Sequence, residues 1–451
     1  MSHLSVAKFG GTSVANFEAM SACANIVTAD PNTRVVVLSA SAGVTNFLVE
    51  LANGCETARR EEILSAVRTI QYNIIEKLQH PEAVSSDVDS LLAHVTALAE
   101  SASLATSAAL TDELICHGEM MSTKIFTQLL KERNFPAVWV DVRDIVATNS
   151  HYGKAAPNDA KTQAQSDAII KPLITEGKVV ITQGFIGRDD EGKTTTLGRG
   201  GSDYSAALLA EVLNANDVLI WTDVPGIYTT DPRVVPAAQR IDTMSFNEAA
   251  EMATFGAKVL HPATLLPAVR SNIPVYVGSS KAPEQGGTWV TLDPQPRPTF
   301  RALALRRNQI LLTLSSLSML HAQGFLANVF SILAKHKISV DVITTSEVSV
   351  AITLDKTGSA SSGADMLSEA LLEELREYCN VKVETDLALV AIIGNNLDSQ
   401  AGIAKQLFTT FAPYNVRLIS YGASKNNVCT LVQNSEADDV IRALHAALFE
   451  K

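Results

Sequence analysis

The 451-residue sequence contains no apolar run of the roughly 18 residues that a membrane-spanning helix needs. At its N-terminus, Lys8 stands where a secretory signal would be apolar, and no A-x-A cleavage pattern follows a hydrophobic run. We also find no low-complexity tail. These absences predict a soluble, cytoplasmic protein with no membrane partner.

Cysteine is scarce, and its five residues form no C-x-x-C pair. They are Cys23, Cys55, Cys116, Cys379 and Cys429. Scattered cysteines favour reduced thiols in the cytoplasm and argue against a zinc site. No set of metal ligands is recognisable in the sequence, so we name none.

A basic surface is also lacking, since the formal net charge is −12. This charge argues against a nucleic-acid partner, which requires a basic footprint. It is compatible with a phosphate substrate whose charge magnesium screens. The Walker A pattern G-x-x-x-x-G-K-[ST] and the protein-kinase signatures are absent as well. The hydrophobic content of 46% and the length predict a globular chain of two to four domains.

The first 293 residues alternate short β-branched runs with helical patterns, which predicts a parallel-rich α/β sheet between helices. The predicted strands are 4–9, 34–38, 178–182, 217–221 and 274–278. The clearest helical patterns lie around 60–80, 111–132 and 160–176. Sheets of this class bind ligands beyond the carboxyl ends of their strands.

A segment rich in proline and glycine, 281–300, predicts a linker. After it a βαββα order occurs twice, over 309–385 and 386–451, and the second copy lacks the last strand. Residues 300–305 form a strand pattern with no role in the first copy. We therefore hypothesise that a strand at 299–307 completes the second copy, so that the first is inserted into it.

The most informative motif is TTTLGRGGSD at 194–203, which runs into an apolar helix pattern. Glycines permit positive φ and close approach of the backbone, and a helix start favours an anion. Arg199 adds a planar fork that fits a carboxylate or a phosphate. Alone, such a turn is more often a plain surface loop.

Two further loops follow predicted strands, KFGGTS at 8–13 and SASAGVT at 39–45. Lys8 beside two glycines suits phosphoryl oxygens, and the small residues of the second loop suit an anion nest. Alone, the first loop is more often an ordinary turn, and the second is equally well explained as a tight turn with a hydroxyl cap. Glu119, on a predicted helix that also carries Asp112, can receive a substrate ammonium or be a solvated surface group.

The loop TDVPGIYTTDPR at 222–233 carries an aromatic ring and an arginine, which suit a nucleotide base and its phosphates. Together, KFGGTSVA at 8–15, TLGRGGSDYSAALLA at 196–210, WTDVPGIYTTDPR at 221–233 and EMATFGAKVLHPAT at 251–264 resemble aspartokinases of the amino acid kinase family. The four motifs stand in family order. MLHAQGFLANVF at 319–330 and SVDVITTSEVSVA at 339–351 resemble the monofunctional, lysine-sensitive type, for which no homoserine dehydrogenase segment is expected.

The resemblance implies an amino acid kinase domain over 1–293 and two ferredoxin-like βαββαβ ACT domains, 309–385 and 386–451. It implies transfer of a phosphoryl group from ATP, with Mg²⁺, to the side chain of L-aspartate, at the start of the pathway to lysine, threonine and methionine. L-Lysine is the implied feedback inhibitor, and a homodimer through the ACT domains is expected.

The resemblance also assigns roles to residues, which fall into four groups. Lys8 and Asp203 are implied as catalytic, with Asp203 orienting Lys8 or the substrate amine. Aspartate is implied to contact Ser39, Thr45, Glu119, Arg199, Gly200, Gly201 and Ser202, with Arg199 on its α-carboxylate and Glu119 on its amine. ATP is implied to contact Lys8, Gly10, Gly11, Thr222, Asp223, Tyr228, Arg233, Lys258 and Val259. The effector is implied to contact Met319, Ala322, Gly324, Phe325, Leu326, Val340, Asp341, Ser346 and Glu347.

Position 322 departs from the family pattern, because many lysine-sensitive relatives carry serine where this chain has Ala322. A hydroxyl contact to the effector is therefore not expected there. Two other interpretations remain open: a sibling kinase acting on glutamate, acetylglutamate or a nucleotide, and a non-catalytic amino-acid sensor. The paired ACT pattern argues against the first, and the intact Lys8, Arg199 and Asp203 argue against the second.

Overall fold

The structure is a computed structural model that describes residues 3–256, 260, 265–319, 323–355 and 367–450. The chain divides into two compact units. The first comprises Met1–Ile227, Arg240–Phe246 and Val259–Gln295; the second comprises Tyr228–Gln239, Asn247–Lys258 and Pro296–Lys451. The units therefore depart from a single boundary at residue 293, because two segments before it group with the C-terminal part of the chain.

The larger sheet is built from β-branched and apolar strands, as the sequence predicts. The described strands before residue 296 are β1 (Ser5–Phe9), β2 (Thr33–Leu38), β3 (Ala137–Trp139), β4 (Val179–Gln183), β5 (Ile186–Arg188), β6 (Thr194–Thr196), β7 (Asp217–Thr222), β8 (Ile227–Tyr228), β9 (Arg240–Ile241), β10 (Thr243–Ser245), β11 (Val275–Ser279) and β12 (Gly287–Thr291). Eight of them form one sheet in the order β10-β12-β11-β7-β1-β2-β4-β3. Every neighbouring pair is parallel except β11 with β12, which confirms the parallel-rich prediction.

Helices accompany this sheet and share its apolar core. The described α-helices before residue 296 are α1 (Phe17–Ala29), α2 (Val44–Ala52), α3 (Thr57–Ile75), α4 (Glu82–Leu104), α5 (Ala108–Ile115), α6 (His117–Glu132), α7 (Asp159–Thr175), α8 (Gly201–Leu213), α9 (Phe246–Thr254) and α10 (Leu266–Arg270). Strands β1 and β2 lie in the middle of the sheet and are almost wholly buried. Apolar side chains from both strands join α1 to α6 in one core.

Two helical features differ from the prediction. The pattern over 111–132 forms two helices, α5 and α6, which meet at Cys116. The long helix α4 is not among the predicted ones, although its buried residues recur every three or four positions: Val84, Val88, Leu92, Val95 and Ala99. That spacing is the ordinary signal of an amphipathic helix.

The C-terminal unit contains one antiparallel sheet with helices. Its strands are β13 (Phe300–Ser315), β14 (Ser339–Thr345), β15 (Ser349–Asp355), β16 (Asn380–Gly394), β17 (Leu418–Ser420) and β18 (Asn427–Gln433), in the order β14-β15-β13-β16-β18-β17. Its helices after residue 296 are α11 (Phe325–Lys335), α12 (Glu369–Arg376), α13 (Ile403–Phe411) and α14 (Ala437–Phe449). The predicted order of elements is present in both copies.

The two copies share their longest strands. The first part of β13, from Phe300 to Arg306, pairs with Leu389–Gly394 of the second copy, and its last part, from Leu311 to Ser315, pairs with Asn380–Glu384 of the first. This is the pairing that an inserted first copy requires. The sequence predicts separate, short strands in these segments, whereas the structure has two long, continuous ones. A strand pattern does not show whether two neighbouring strands are continuous along the chain.

No helix that the structure describes is both long and apolar enough to cross a membrane.

Candidate functional site

Lys8 and Asp203, which are far apart in the sequence, form an ion pair in the first unit. Lys8 lies near the carboxyl end of β1, which β2 and β7 flank in parallel. Asp203 lies in the first turn of α8. The Lys8 Nζ atom is 2.6 Å from Asp203 Oδ1, and the two side chains are 12% and 15% exposed. Both side chains are therefore mostly buried at the end of the central strand, with a small part of each exposed.

The glycine loop after β1 touches the loop after β2. Gly10 donates its N–H to the Trp221 carbonyl at 3.2 Å, and Ala42 donates to the Gly11 carbonyl at 3.1 Å. A Cβ atom on Gly11 would lie 2.9 Å from the Ala40 carbonyl oxygen. Because that distance is shorter than ordinary Cβ contacts, glycine is required for the loops to approach this closely.

The turn between β6 and α8 is also shaped by glycine. Gly200 has φ of +75° and forms the N-cap of α8. A Cβ atom on Gly201 would lie 2.7 Å from the ring of Phe185. Arg199 stands exposed in this turn and makes no ion pair with any described residue. The guanidinium is thus available to an anion near the positive end of α8.

Gly184, after β4, sets the position of α8. A Cβ atom there would lie 2.6 Å from Ser202 Cβ and 2.7 Å from Ser202 Cα. We predict that Gly184→Ala displaces the start of α8, and with it Asp203, and lowers kcat/KM by roughly 10–100-fold, because small misplacements of reacting groups are costly. Steady-state kinetics measures this.

Gly177→Ala is the control for that variant. Gly177 has φ of +78°, and no atom would lie within 4 Å of a Cβ atom placed on it. Alanine in this left-handed conformation costs about 1–2 kcal/mol of stability without moving α8. It should leave kcat/KM unchanged. Equal kinetic losses in both variants would show that the effect of Gly184→Ala is general destabilisation.

Glu119 is a buried carboxyl group at the start of α6, only 3% exposed. Its Oε1 atom accepts the N–H of Ala40 at 3.2 Å, while Oε2 has no hydrogen-bond partner among the described residues. Burial raises the pKa of Glu119 to about 8, and the Ala40 hydrogen bond opposes this only in part. The geometry leaves one carboxylate oxygen for a cationic or donating group.

The other residues assigned to aspartate lie on the loops and helices already described. Ser39 directly follows β2, and its carbonyl accepts the hydroxyl of Ser122 at 2.8 Å. Thr45 is half-buried in the first turn of α2. Ser202 is half-buried in the first turn of α8, next to Asp203. All three hydroxyl residues belong to the first unit.

Asp112 is a residue whose position could not be predicted from the sequence. It is 1% exposed on α5, and its Oδ2 accepts N–H groups of Gly153 and Thr196, each at 2.8 Å. Its Oδ1 accepts the Thr196 hydroxyl at 2.9 Å. Burial raises the pKa of Asp112, against these hydrogen bonds. The only sequence signal was an acidic residue at an otherwise apolar helix position.

The residues assigned to ATP are divided between the two compact units. Thr222 ends β7 and Asp223 follows it in the first unit, and the Thr222 hydroxyl donates to Asp223 at 3.2 Å. Tyr228 and Arg233 group with the second unit, where Arg233 is exposed and pairs with Asp231 at 2.7 Å. The assigned Lys258 and Val259 lie outside the described residues.

The residues assigned to the effector lie around the start of α11 and along β14. Gly324 has φ of +86° and forms the N-cap of α11, followed by the half-buried Phe325 and the exposed Leu326. Val340 and Asp341 lie on β14. Asp341 forms an ion pair with Arg306, so its carboxylate is already engaged.

The other residues assigned to the effector are half-buried, exposed or outside the described residues. Met319 is half-buried in a short turn, and Ala322 lies outside the described residues. Ser346 and Glu347 are exposed, and the Ser346 hydroxyl lies 2.7 Å from that of Ser349.

Comparison with known families agrees with the fold. The amino acid kinase family model matches residues 3–279, and an ACT domain model matches residues 390–448. The chain is 59% identical to lysine-sensitive aspartokinase 3 of Escherichia coli (strain K12), with full coverage of both sequences. It is 34% identical to the chloroplastic aspartokinase 2 of Arabidopsis thaliana, covering 99% of this chain and 84% of that one.

Solved structures show the same similarity. E. coli aspartokinase III in complex with aspartate and ADP superposes with a TM-score of 0.88 at 59% identity, covering 99% of this chain and 100% of that one. The complex of that enzyme with lysine and aspartate gives a TM-score of 0.87, with the same identity and coverage. These matches and the site define a kinase of the amino acid kinase family with a C-terminal ACT domain. Within that family, the chain belongs to the aspartokinases.

Proposed function

We propose that the protein transfers the γ-phosphoryl group of ATP to the side-chain carboxylate of L-aspartate, giving 4-phospho-L-aspartate and ADP. The observation that carries this proposal is the Lys8–Asp203 pair, which lies at the end of the central strand beside two glycine-shaped turns. A carboxylate is already a nucleophile near pH 7. The protein must therefore supply in-line positioning and charge neutralisation rather than a strong base.

Lys8 is the proposed catalytic cation, because it is the charged group at the end of β1. Its ammonium offsets the charge of the phosphoryl group as that group passes between two anions. Asp203 orients the Lys8 ammonium through their ion pair. The N–H groups of Gly10, Gly11 and the Gly200–Gly201 turn are proposed to assist as neutral donors.

Arg199 and Glu119 are proposed to hold the two charged groups of the aspartate backbone. The exposed guanidinium of Arg199 fits the α-carboxylate in two-point contact. The unpaired oxygen of Glu119 fits the ammonium, which would stabilise the ionised carboxylate in its buried place. Ser39, Thr45 and Ser202 supply hydroxyls to the same substrate.

Thr222, Asp223, Tyr228, Arg233, Lys258 and Val259 are proposed to contact ATP. Mg²⁺ is proposed to enter on the ATP phosphates, where it neutralises charge. Within the described residues no three or more His, Cys, Asp or Glu side chains cluster as ready ligands. A magnesium ion that keeps several water ligands needs no such protein cage.

L-Lysine is the proposed inhibitor, and the ACT region is its proposed site. Support comes from the E. coli relative, whose name describes it as lysine-sensitive and whose structure has been solved with lysine. The N-cap glycine Gly324 leaves N–H groups of α11 for an α-carboxylate, and Asp341 and Glu347 are the acids proposed for the amines. Asp341 must then exchange its ion pair with Arg306 for a lysine ammonium.

A homodimer through the ACT domains is proposed as well. Strand β14 is at an edge of the C-terminal sheet, and the apolar Ile343 on it is 41% exposed. Exposed apolar side chains on an edge strand favour association with a second chain. We also propose a cytoplasmic location, which the five free cysteines support because disulfides are rare in that compartment.

The test of function is ADP production with ATP, Mg²⁺ and L-aspartate, with and without millimolar L-lysine. We expect activity that lysine abolishes. Activity that ignores lysine would move the effector search to threonine or methionine. Activity with glutamate and none with aspartate would contradict the proposed substrate and assign the protein to a sibling kinase.

For Arg199→Ala we predict a rise of roughly 100-fold in the KM for aspartate, with a much smaller change in the KM for ATP, because a charge-assisted pair to the α-carboxylate is lost. Initial rates against each substrate measure the two values. Arg188→Ala is a control, since Arg188 forms a partly exposed ion pair with Asp144. An unchanged aspartate KM in Arg199→Ala would refute the carboxylate role.

A further inference from the structure

Asp112 joins the end of a strand to a distant loop. One of its partners, Thr196, is the last residue of β6, and the other, Gly153, belongs to the loop before α7. The three hydrogen bonds use both carboxylate oxygens, and the side chain is almost completely buried. A buried acceptor that takes three donors fixes both segments more firmly than surface contacts do.

The two segments also contact each other beside Asp112. Ala155 donates its N–H to the Thr196 carbonyl at 2.8 Å. Gly198 approaches the loop before α7 so closely that a Cβ atom on it would lie 3.1 Å from the Gly153 carbonyl oxygen. The segment from Thr196 to Gly198 is therefore held on both sides, and it ends one residue before Arg199.

We propose that Asp112 is a positioning residue for the amino-acid substrate: it fixes the start of the β6–α8 turn so that Arg199 points to the substrate α-carboxylate. The inference rests on the proposed aspartate kinase function and on the proposed role of Arg199. Asp112 itself does not touch the substrate. It acts through the backbone and hydroxyl of Thr196, whose carbonyl is in turn fixed by Ala155.

The chemistry of the partners favours a carboxylate at this position. Two partners are N–H groups, which can only donate, and the third is a hydroxyl, which donates to an ionised Asp. In Asp112→Asn the remaining oxygen is a neutral and therefore weaker acceptor for the two N–H groups, and the NH₂ group reverses the Thr196 contact, so that the hydroxyl must accept instead of donate. Asparagine has nearly the same size, so the variant changes the hydrogen bonding without leaving a cavity.

Asp189 provides a matched control, because it contacts the β5–β6 hairpin to which Thr196 also belongs. It is 5% exposed at the far end of the β5–β6 hairpin, and its side chain accepts the Tyr152 hydroxyl at 2.9 Å and the N–H groups of Glu191 and Lys193 at 3.0 and 2.9 Å. Both aspartates thus tie a loop to this hairpin, but only Asp112 is next to the Arg199 turn.

The experiment measures kcat and both KM values for wild type, Asp112→Asn and Asp189→Asn. We expect Asp112→Asn to raise the aspartate KM roughly tenfold and to change kcat and the ATP KM by less than about threefold. Asp189→Asn should leave the aspartate KM unchanged. An equal rise of both KM values in Asp112→Asn, or the same aspartate effect in Asp189→Asn, would overturn the inference.

A double-mutant cycle tests whether Asp112 acts through Arg199. In the Arg199→Ala background, Asp112→Asn should raise the aspartate KM by less than about twofold, because the group it positions is already absent. A full tenfold further rise would assign Asp112 a separate, structural role. Wild-type enzyme without aspartate activity would instead refute the proposed function, and the inference with it.

If Asp112→Asn does not fold, the Thr196 side chain gives an independent test. Thr196→Val removes the hydroxyl donor to Asp112 at nearly constant size, whereas Thr196→Ser retains it. We expect an increased aspartate KM in the valine variant and a near-normal value in the serine variant. Equal values in the two variants would overturn the positioning role.

Discussion

Lys8→Ala is expected to lower kcat by roughly 10³-fold, a loss typical for removal of a group that stabilises transition-state charge. The KM for aspartate should change by less than about threefold, since charge develops on the phosphoryl group and not on the bound amino acid. Burial of most of the Lys8 side chain strengthens this electrostatic interaction. Rates at saturating ATP and aspartate measure the effect.

Two control variants distinguish a catalytic role of Lys8 from the general effect of removing a positive charge. Lys161 forms an exposed ion pair of 2.6 Å with Asp190, so Lys161→Ala should leave kcat unchanged. Lys8→Arg keeps the charge but replaces a compact ammonium with a planar fork, and we expect it to recover little activity. A near-normal kcat in Lys8→Ala would remove Lys8 from catalysis.

Glu119→Gln is expected to raise the aspartate KM by roughly 100-fold, because an amide cannot form the charge-assisted contact to the substrate ammonium. In the wild type, the raised pKa of Glu119, about 8, means that aspartate binding must release a proton at lower pH. The aspartate KM should therefore fall by up to about tenfold per pH unit as the pH rises toward 8. In Glu119→Gln this pH dependence should disappear.

The same carboxyl group makes stability depend on pH. Its folded-state pKa of about 8 lies above the ordinary value of 4.5, so the folded protein binds this proton more tightly than the unfolded chain. The free energy of unfolding contributed by Glu119 is greatest below pH 4.5 and is lost as the pH rises to about 8. At about 1.4 kcal/mol per pKa unit, the loss is roughly 5 kcal/mol.

Thermal unfolding of the ligand-free protein tests the sign of this effect. We expect Glu119→Gln to have a higher Tm than the wild type at pH 9 and nearly the same Tm at pH 5. The exposed Glu61 serves as the control, and Glu61→Gln should match the wild type at both pH values. A lower Tm of Glu119→Gln at pH 9 would contradict the buried, unpaired carboxylate.

Much of the kinase fold follows from local patterns. Strands β1, β2, β4, β7 and β11 lie within one or two residues of their predicted positions, because short β-branched runs between glycines and helices are distinctive. Helix α4 could have been predicted in the same way, since its apolar spacing is present in the sequence. The division of 111–132 at Cys116 could not be predicted from spacing, because Cys116 itself has helical dihedral angles.

The ACT repeat is visible in the sequence as a repeated order of elements, but its shared sheet is not. A strand pattern describes one segment and its faces, whereas β13 and β16 each serve both copies through pairing with different neighbours. The hypothesis for residues 300–305 follows from counting strands, since a missing strand must be supplied by another segment. The predicted domain boundaries stay predictions.

The candidate site shows the same division between sequence and structure. Lys8 and Arg199 could be named in advance because their cationic side chains and glycine neighbours suit anions, whereas Asp203 was named from the resemblance to aspartokinases. Asp203 had two predicted partners, Lys8 and the substrate amine, and the structure pairs it with Lys8. No partner of Asp112 could be predicted, because Gly153 and Thr196 approach it only after their segments have folded.

The class of fold, the order of elements and the residue types available for phosphoryl transfer all follow from the amino-acid sequence, since they depend on periodicity and on local backbone preferences. Three further properties required the folded chain: which oxygen of Glu119 lacks a partner, the direction in which burial shifts its pKa, and which carboxylate binds Thr196. The physical reason is that burial and hydrogen bonding depend on neighbours far away in the chain, which no local pattern specifies.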